Sequence, residues 1–159
     1  MSSSISLSEL KAIRSKLKAE GKKVVFTNGV FDLIHSGHVD YLSKAKKLGD
    51  ILIIGLNSDD SVKRIKGDKR PILKQEERAF ILSNLKPVDY VILFDEDTPQ
   101  KLISEIIPDI LVKGGDWSVE KIVGKEVVEK NGGKVINIEF VNDQSTSKII
   151  DLIIQRYSK

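Results

Sequence analysis

Apolar residues recur along the chain with two alternating periods. Leu10, Ile13 and Leu17 repeat at helical spacing behind Ser6-Leu7-Ser8-Glu9, which reads as a capping box, so a first helix is expected to run to about Glu20 and end at Gly21. Val24, Val25 and Phe26 form a continuous apolar run that closes at Thr27-Asn28-Gly29, as in a strand buried on both faces. From His38 onward, Val39, Leu42, Ala45 and Leu48 return every three residues with lysines between them, predicting a helix with Gly49 at its C-cap. Ile51 to Leu56 is a second apolar strand ending at Asn57-Ser58-Asp59. The same patterns predict helices over 75–85, 99–107, 125–131 and 147–156, and strands over 90–93, 110–112 and 135–138.

Residues 24–56 have the length of one strand–helix–strand unit, which gives parallel strands with a right-handed crossover. Repeated alternation of this kind predicts the α/β class: a single doubly wound, Rossmann-like domain of about five parallel strands with helices on both faces. A chain of 159 residues suits one domain. Residues 1–20 are expected as an N-terminal helix leading into a core over 21–154. In this architecture ligands bind beyond the carboxyl ends of the strands, where the strand order reverses.

Composition narrows the function classes. Hydrophobic residues at 40% and charged residues at 31% match a soluble globular protein. The 26 Lys and Arg against 23 Asp and Glu leave only +3, spread without a basic tail or aromatic-interleaved basic surface, so no nucleic-acid partner is expected. The absence of cysteine removes disulfides, thiolate zinc sites and a cysteine nucleophile. No apolar run approaches the ~18 residues of a membrane helix, so no membrane partner is expected and the anticipated location is the cytoplasm.

Chemistry concentrates in Asn28-Gly29-Val30-Phe31-Asp32-Leu33-Ile34-His35-Ser36-Gly37-His38, which leaves the first strand, enters the next helix and contains both histidines of the chain. Chance would give a His-x-Gly-His in well under about one chain of this length per hundred. His38 falls at a helix N-terminus, where free N–H groups and the dipole favour an anion, and His35 projects from the loop before it. Two imidazoles can then face one phosphate as donors to charge that develops in a transition state. The alternatives are a surface turn with a helix cap, or a metal pair completed by Asp32.

Three further segments are polar and phosphate-compatible. Lys66, Lys69 and Arg70 flank Gly67 and Pro71, where cations can neutralise a triphosphate or a sugar phosphate, or simply be solvated. Lys113-Gly114-Gly115-Asp116 follows a strand, and paired glycines let backbone approach a base or ribose, or form a plain turn. Ser145-Thr146-Ser147-Lys148 sits where the last helix begins, so its hydroxyls and free N–H groups suit a phosphate; as an ordinary capping box it lacks an acid at the third position.

The stretch from Phe26 to Asp32 with His35-Ser36-Gly37-His38 resembles the signature of the cytidylyltransferase-like superfamily of nucleotidyltransferases, and Ser145-Thr146-Ser147-Lys148 resembles its second signature. With Gly55-Leu56-Asn57-Ser58-Asp59, Lys66-Gly67, Arg70-Pro71, Asp95-Glu96-Asp97-Thr98-Pro99 and Val112-Lys113-Gly114-Gly115-Asp116-Trp117, the chain is similar to the adenylyltransferase domain of ADP-heptose synthesis. The similarity covers about Gly21 to Ile154. Three positions depart from that pattern: Val30 replaces a common cysteine, Trp117 a tyrosine, and Gln144 precedes the Ser-Thr pair.

The resemblance implies transfer of AMP from ATP to a heptose 1-phosphate, giving ADP-heptose and pyrophosphate for nucleotide-sugar, lipopolysaccharide-core or surface-glycan synthesis. Catalytic positions are then His35, His38, Lys66 and Arg78. Asn28, Gly29, Val30, Phe31, Asp32, Lys113, Gly114, Asp116, Ser145 and Thr146 surround the nucleotide. Magnesium escorts the ATP rather than occupying a protein site. A separate heptose kinase supplies the sugar phosphate, and association into a homodimer is expected. A glycerol-3-phosphate cytidylyltransferase would carry an arginine before Ser-Thr, and residues 140–144 hold no basic residue. A flavin adenylyltransferase of FAD synthase type fits Lys66-Gly67 and Asp97-Thr98-Pro99 less well. A non-catalytic nucleotide sensor would keep the pocket without turnover.

Overall fold

The computed structural model describes residues 4–115, 118–140 and 144–158. The elements run α1 (Leu7–Ala19), β1 (Val24–Gly29), α2 (Ser36–Lys46), β2 (Ile51–Asn57), α3 (Asp59–Lys66), α4 (Gln75–Ser83), β3 (Tyr90–Phe94), α5 (Gln100–Ile106), β4 (Ile110–Gly114), a 3-10 turn (Val119–Lys121), α6 (Lys125–Lys130), β5 (Lys134–Ile138) and α7 (Thr146–Tyr157). The strands form one parallel sheet in the order β3-β2-β1-β4-β5, so β1 lies at the centre and the order reverses between β1 and β4. The doubly wound α/β expectation holds, with five strands.

Alternation along each strand divides the interior into two layers. In β1, Val25 packs with Leu42, Leu52, Ala79 and Leu82 beneath α2 and α4. Its neighbours Val24 and Phe26 pack with Leu10, Leu102 and Ile103 beneath α1 and α5. Val25 pairs in register with Leu52 on one side and Ile110 on the other, which places the ends of β1, β2 and β4 on one edge.

The capping box at α1 forms as expected: Ser6 Oγ accepts from the Glu9 amide and Glu9 Oε2 accepts from the Ser6 amide. Arg14 then donates to the Ile107 carbonyl at 2.9 Å and to Asp109 at 3.0 Å, binding α1 to the turn between α5 and β4. At the other end of the chain α7 has no buried residue, and Ile153, Ile154 and Tyr157 on its apolar face are exposed. Among the described residues no helix is long and apolar enough to cross a membrane.

Two local expectations change. Gly49 does not cap α2, whose C-cap is Lys47. It is small because a Cβ there would lie 2.7 Å from Val25 Cγ2 and 2.9 Å from the Lys23 carbonyl. Residues 59–66, to which the apolar pattern assigned no element, form α3. That helix buries only Ser61 and Val62, so it has no apolar stripe to announce it. Its terminal signals are present all the same: Ser58 caps it, Asp59 and Asp60 fill the first turn, and Lys63, Arg64 and Lys66 the last.

Because Leu10 is fully buried in the α1–α5 layer, Leu10→Ala should lower unfolding free energy by about 2–5 kcal/mol, read from urea denaturation midpoints.

Candidate active site

A cleft of about 580 Å³ opens where β1 and β4 diverge, in the size range of ligand sites. Asn28, Gly29, Val30, Phe31, Asp32 and His38 line one wall, Lys113, Phe140, Ser145, Thr146 and Ser147 a second, and Lys66, Arg70, Asp97, Thr98 and Pro99 a third. The first two walls follow β1, β4 and β5, and the third follows α3 and β3.

The turn after β1 has an unusual backbone. Phe31 adopts a left-handed φ of 47°, a conformation with a real cost for a bulky residue, and its ring folds back over Gly29. A Cβ at Gly29 would lie 2.9 Å from Phe31 Cε2, so this position must stay a glycine for the ring to sit there. The Phe31 ring lies 5.3 Å from that of His38.

His35 is the N-cap residue of α2 and His38 stands in its first turn, with their ring centroids 3.9 Å apart. His38 lines the cleft beside the free amides of the helix start. The Nδ1 atoms of both rings are buried without a partner among the described residues. Burial, with a smaller contribution from His35, pushes the His38 imidazole down to about 4. Burial also lowers His35. Both rings are therefore neutral at pH 7 in the empty cleft, ready to donate to an anion without repelling each other.

Lys113 reaches into the same space from the end of β4. Its Nζ donates to Asn28 Oδ1 at 3.3 Å, and burial lowers the amine below the usual lysine range. A phosphate is the natural counter-charge for such an ammonium. Across the cleft, Ser145 caps α7 by accepting from the Lys148 amide, and Thr146 Oγ1 donates to the Leu33 carbonyl at 3.4 Å. The N-terminus of α7 and the turn after β1 thus touch.

Of the expected site residues, Arg78, Gly114 and His35 do not line the cleft, and Asp32 lines it with its carboxylate already bonded. Arg78 is fully buried and does not line the cleft. Its guanidinium donates to the Leu73 carbonyl at 3.0 Å, to the carbonyls of Val30 and Asn57 at 2.7 and 2.9 Å, and to Asp59 Oδ1 at 2.7 Å. Its donors go to protein and tie three loops together, and Arg70 is an arginine that lines the cleft. Asp32 borders the cleft, but its carboxylate accepts from Arg70 Nε at 2.6 Å and from the amides of Ile72 and Leu73. Burial pushes that carboxyl up, while the Leu73 and Ile72 amides and the Arg70 guanidinium outweigh it and hold it below the usual range. Gly114 lies under Phe140, where a Cβ would come within 2.5 Å of Cζ, so it shapes the cleft by letting that ring close in.

Asp116 and Trp117 lie outside the described residues. Lys121, Ile122, Val123 and Phe140 also line the cleft and carried no motif; the one sequence signal near them is Gly124, whose φ of 91° turns the chain into α6. Among the described residues no three His, Cys, Asp or Glu side chains converge on a metal position.

Imidazole donors at the switch point of a parallel sheet, facing a capped helix start, give this Rossmann-like α/β domain a cleft whose chemistry suits an anion. The chain belongs to the cytidylyltransferase-like family, whose model matches residues 26–152. It is 61% identical over 139 residues to the bifunctional protein HldE of Citrifermentans bemidjiense, covering 87% of this chain and 28% of that protein. With HldE of Geobacter sulfurreducens it shares 54% over 153 residues, covering 96% and 31%. The chain therefore spans under a third of the length of these curated relatives. Among solved structures it is similar to the lipopolysaccharide core biosynthesis protein from Thermoplasma volcanium, with a TM-score of 0.63 and 34% identity over 78% of this chain and 100% of that one. Pantoate-beta-alanine ligase from Francisella tularensis shares the fold at 16% identity and a TM-score of 0.59, covering 89% of this chain and 67% of that one.

Two predictions follow from these placements. Arg78→Met should cost about 3–5 kcal/mol of stability in denaturant melts, because it leaves Asp59 and three carbonyls without their buried donor. Stability should also rise with pH across the interval from about 4, the folded value of His38, to ~6.5, its unfolded value, because only the unfolded state takes up the proton there. The denaturation midpoint at pH 5 should fall below that at pH 7.5, and His38→Gln should flatten the difference.

Proposed function

We propose that this chain is an adenylyltransferase that joins ATP to a heptose 1-phosphate, giving ADP-heptose and pyrophosphate for lipopolysaccharide-core or surface-glycan synthesis. The observation that carries the reading is the stacked, neutral His35–His38 pair at the edge of a cleft walled on its far side by the start of α7. The chemistry of the relatives favours the heptose branch: the curated ones are HldE proteins, and the similar structure is named for lipopolysaccharide core biosynthesis.

In this reading an oxygen of the sugar phosphate attacks the α-phosphorus, a new oxygen–phosphorus bond forms, and the bond to the β-phosphate bridge breaks with its electrons leaving on pyrophosphate. The attacking phosphate is already anionic, so no general base is required. His35 and His38 donate to the crowded α-phosphate as its charge grows. Lys113 holds a non-bridging oxygen from the β4 side. Ser145, Thr146 and the amides at the start of α7 receive the departing pyrophosphate. Lys66 and Arg70 supply the remaining positive charge, and Asn28 and Phe31 form the floor.

Magnesium enters as part of the substrate. Asp32 is saturated by Arg70 and two amides, so it has no lone pair to spare for a cation, and an ion liganded by triphosphate oxygens and water fits that arrangement. The phosphorylated sugar has to come from a kinase reaction carried by another polypeptide or segment. An apolar face on α7 is compatible with association of two copies.

Pyrophosphate release should be measured with each of ATP, CTP, GTP and UTP against heptose 1-phosphate anomers, glycerol 3-phosphate and FMN. ATP with one heptose phosphate is the expected pair. His38→Ala should lower its turnover by about two to three orders of magnitude. Release from CTP with glycerol 3-phosphate, or undiminished turnover in the variant, would overturn the assignment.

A further inference from the structure

The segment Asp95-Glu96-Asp97-Thr98-Pro99 takes no part in the phosphate chemistry above, yet it walls the cleft through Asp97, Thr98 and Pro99. It is also braced by α3. Ser58, Ser61 and Arg64 stand three residues apart, on one face of α3 and its cap. Ser58 Oγ donates to Asp95 Oδ1, Ser61 Oγ to the Glu96 carbonyl at 3.0 Å, and Arg64 Nη2 to the Asp95 carbonyl. Arg64 Nε donates to Asp97 Oδ1 at 2.7 Å. Ser61 is itself fully buried and receives Asn57 Nδ2 at 3.0 Å, so the brace continues into the end of β2.

That bracing leaves specific atoms free. Among the described residues Asp97 Oδ2 and the Thr98 hydroxyl have no hydrogen-bond partner, and both residues face the cleft. A carboxylate with one oxygen fixed by a guanidinium and the other open, next to a hydroxyl, is suited to a neighbouring pair of hydroxyl donors. Asp97 follows β3 and His38 follows β1, two strands away, which is about 10 Å at the spacing of a sheet. The nucleotide-facing groups Lys113, Phe140 and Ser145 lie on the opposite side of β1, so the β3 side is left for the acceptor.

We infer that Asp97 and Thr98 read the acceptor: they take the hydroxyls of the sugar phosphate at the end remote from its phosphate, with Arg64 as a positioning residue that fixes the carboxylate. This rests on the transfer reading above. In a heptose 1-phosphate the remote end is the side chain beyond the ring, carrying the C6 and C7 hydroxyls. A hexose 1-phosphate of the same ring lacks C7 and half of that pair. A site that hydrogen-bonds a substrate hydroxyl discriminates strongly against the analogue without it, because its own polar groups are then left unpaired.

Steady-state kinetics with D-glycero-D-manno-heptose 1-phosphate and mannose 1-phosphate, each with ATP, test the inference on the unaltered chain, Asp97→Asn, Thr98→Val and the control Asp60→Asn. Asp60 is an exposed α3 carboxylate paired only with Lys63. Asp97→Asn should raise KM for the heptose phosphate about ten- to hundredfold and collapse the preference for heptose over mannose, with KM for ATP within about twofold. Thr98→Val should do the same to a smaller extent, and Asp60→Asn should change neither substrate. An unchanged heptose KM in Asp97→Asn, or equal losses with heptose phosphate, mannose phosphate and ATP, would overturn the assignment of the loop and leave the transfer reading standing. No turnover by the unaltered chain with either sugar phosphate would remove both.

Discussion

The cleft depends on one buried guanidinium. Arg78 joins the turn after β1, through the Val30 carbonyl, to the end of β2 and the start of α3, through Asn57 and Asp59, and to the segment before its own helix, through Leu73. A planar fork with several fixed donors satisfies carbonyls arriving from different directions, which an ammonium on a flexible stem does poorly. Asp32 extends the arrangement by gathering Arg70 and the Ile72 and Leu73 amides onto the same turn. The floor and the third wall of the cleft are thereby set relative to each other by charge-assisted bonds inside the protein.

That bracing shapes the electrostatics of the wall. The anions and cations that brace the loops are paired, while the β1–β4 side of the cleft carries a desolvated imidazole, His38, and an amine, Lys113, lowered by burial. Such a surface attracts a polyphosphate through donors that are already oriented, and it pays little in repulsion among its own members when empty.

Much of the fold was legible because apolar period and terminal signals agreed: the capping box at Ser6 and the double-faced strands at Val24 and Ile51 fell where the pattern put them. α3 was not, since a short helix with two small buried residues has no stripe, and its identity lay in its caps and charges. The position of the histidine pair at the start of α2 was legible from its spacing, three residues apart behind a strand. Arg78 and Asp32 were assigned from the family resemblance, as a position near the triphosphate and one beside the nucleotide. Sequence spacing records proximity to the cleft but not direction, and both side chains turn inward. Val123 and Phe140 were missed for the opposite reason, as ordinary apolar residues that the chain happens to bring to the rim.

The central position of β1 has a consequence for how the molecule comes into being. Val25 pairs with Leu52, 27 positions on, and with Ile110, 85 positions on, and the Asn28–Lys113 contact spans the same long interval. A chain emerging from the ribosome can close the first loop early, at small entropic cost, but the half of the cleft built by β4 and α7 waits until those later segments have been made. Both sides of the cleft are therefore in place only when β4 and α7 have joined the strands that precede them.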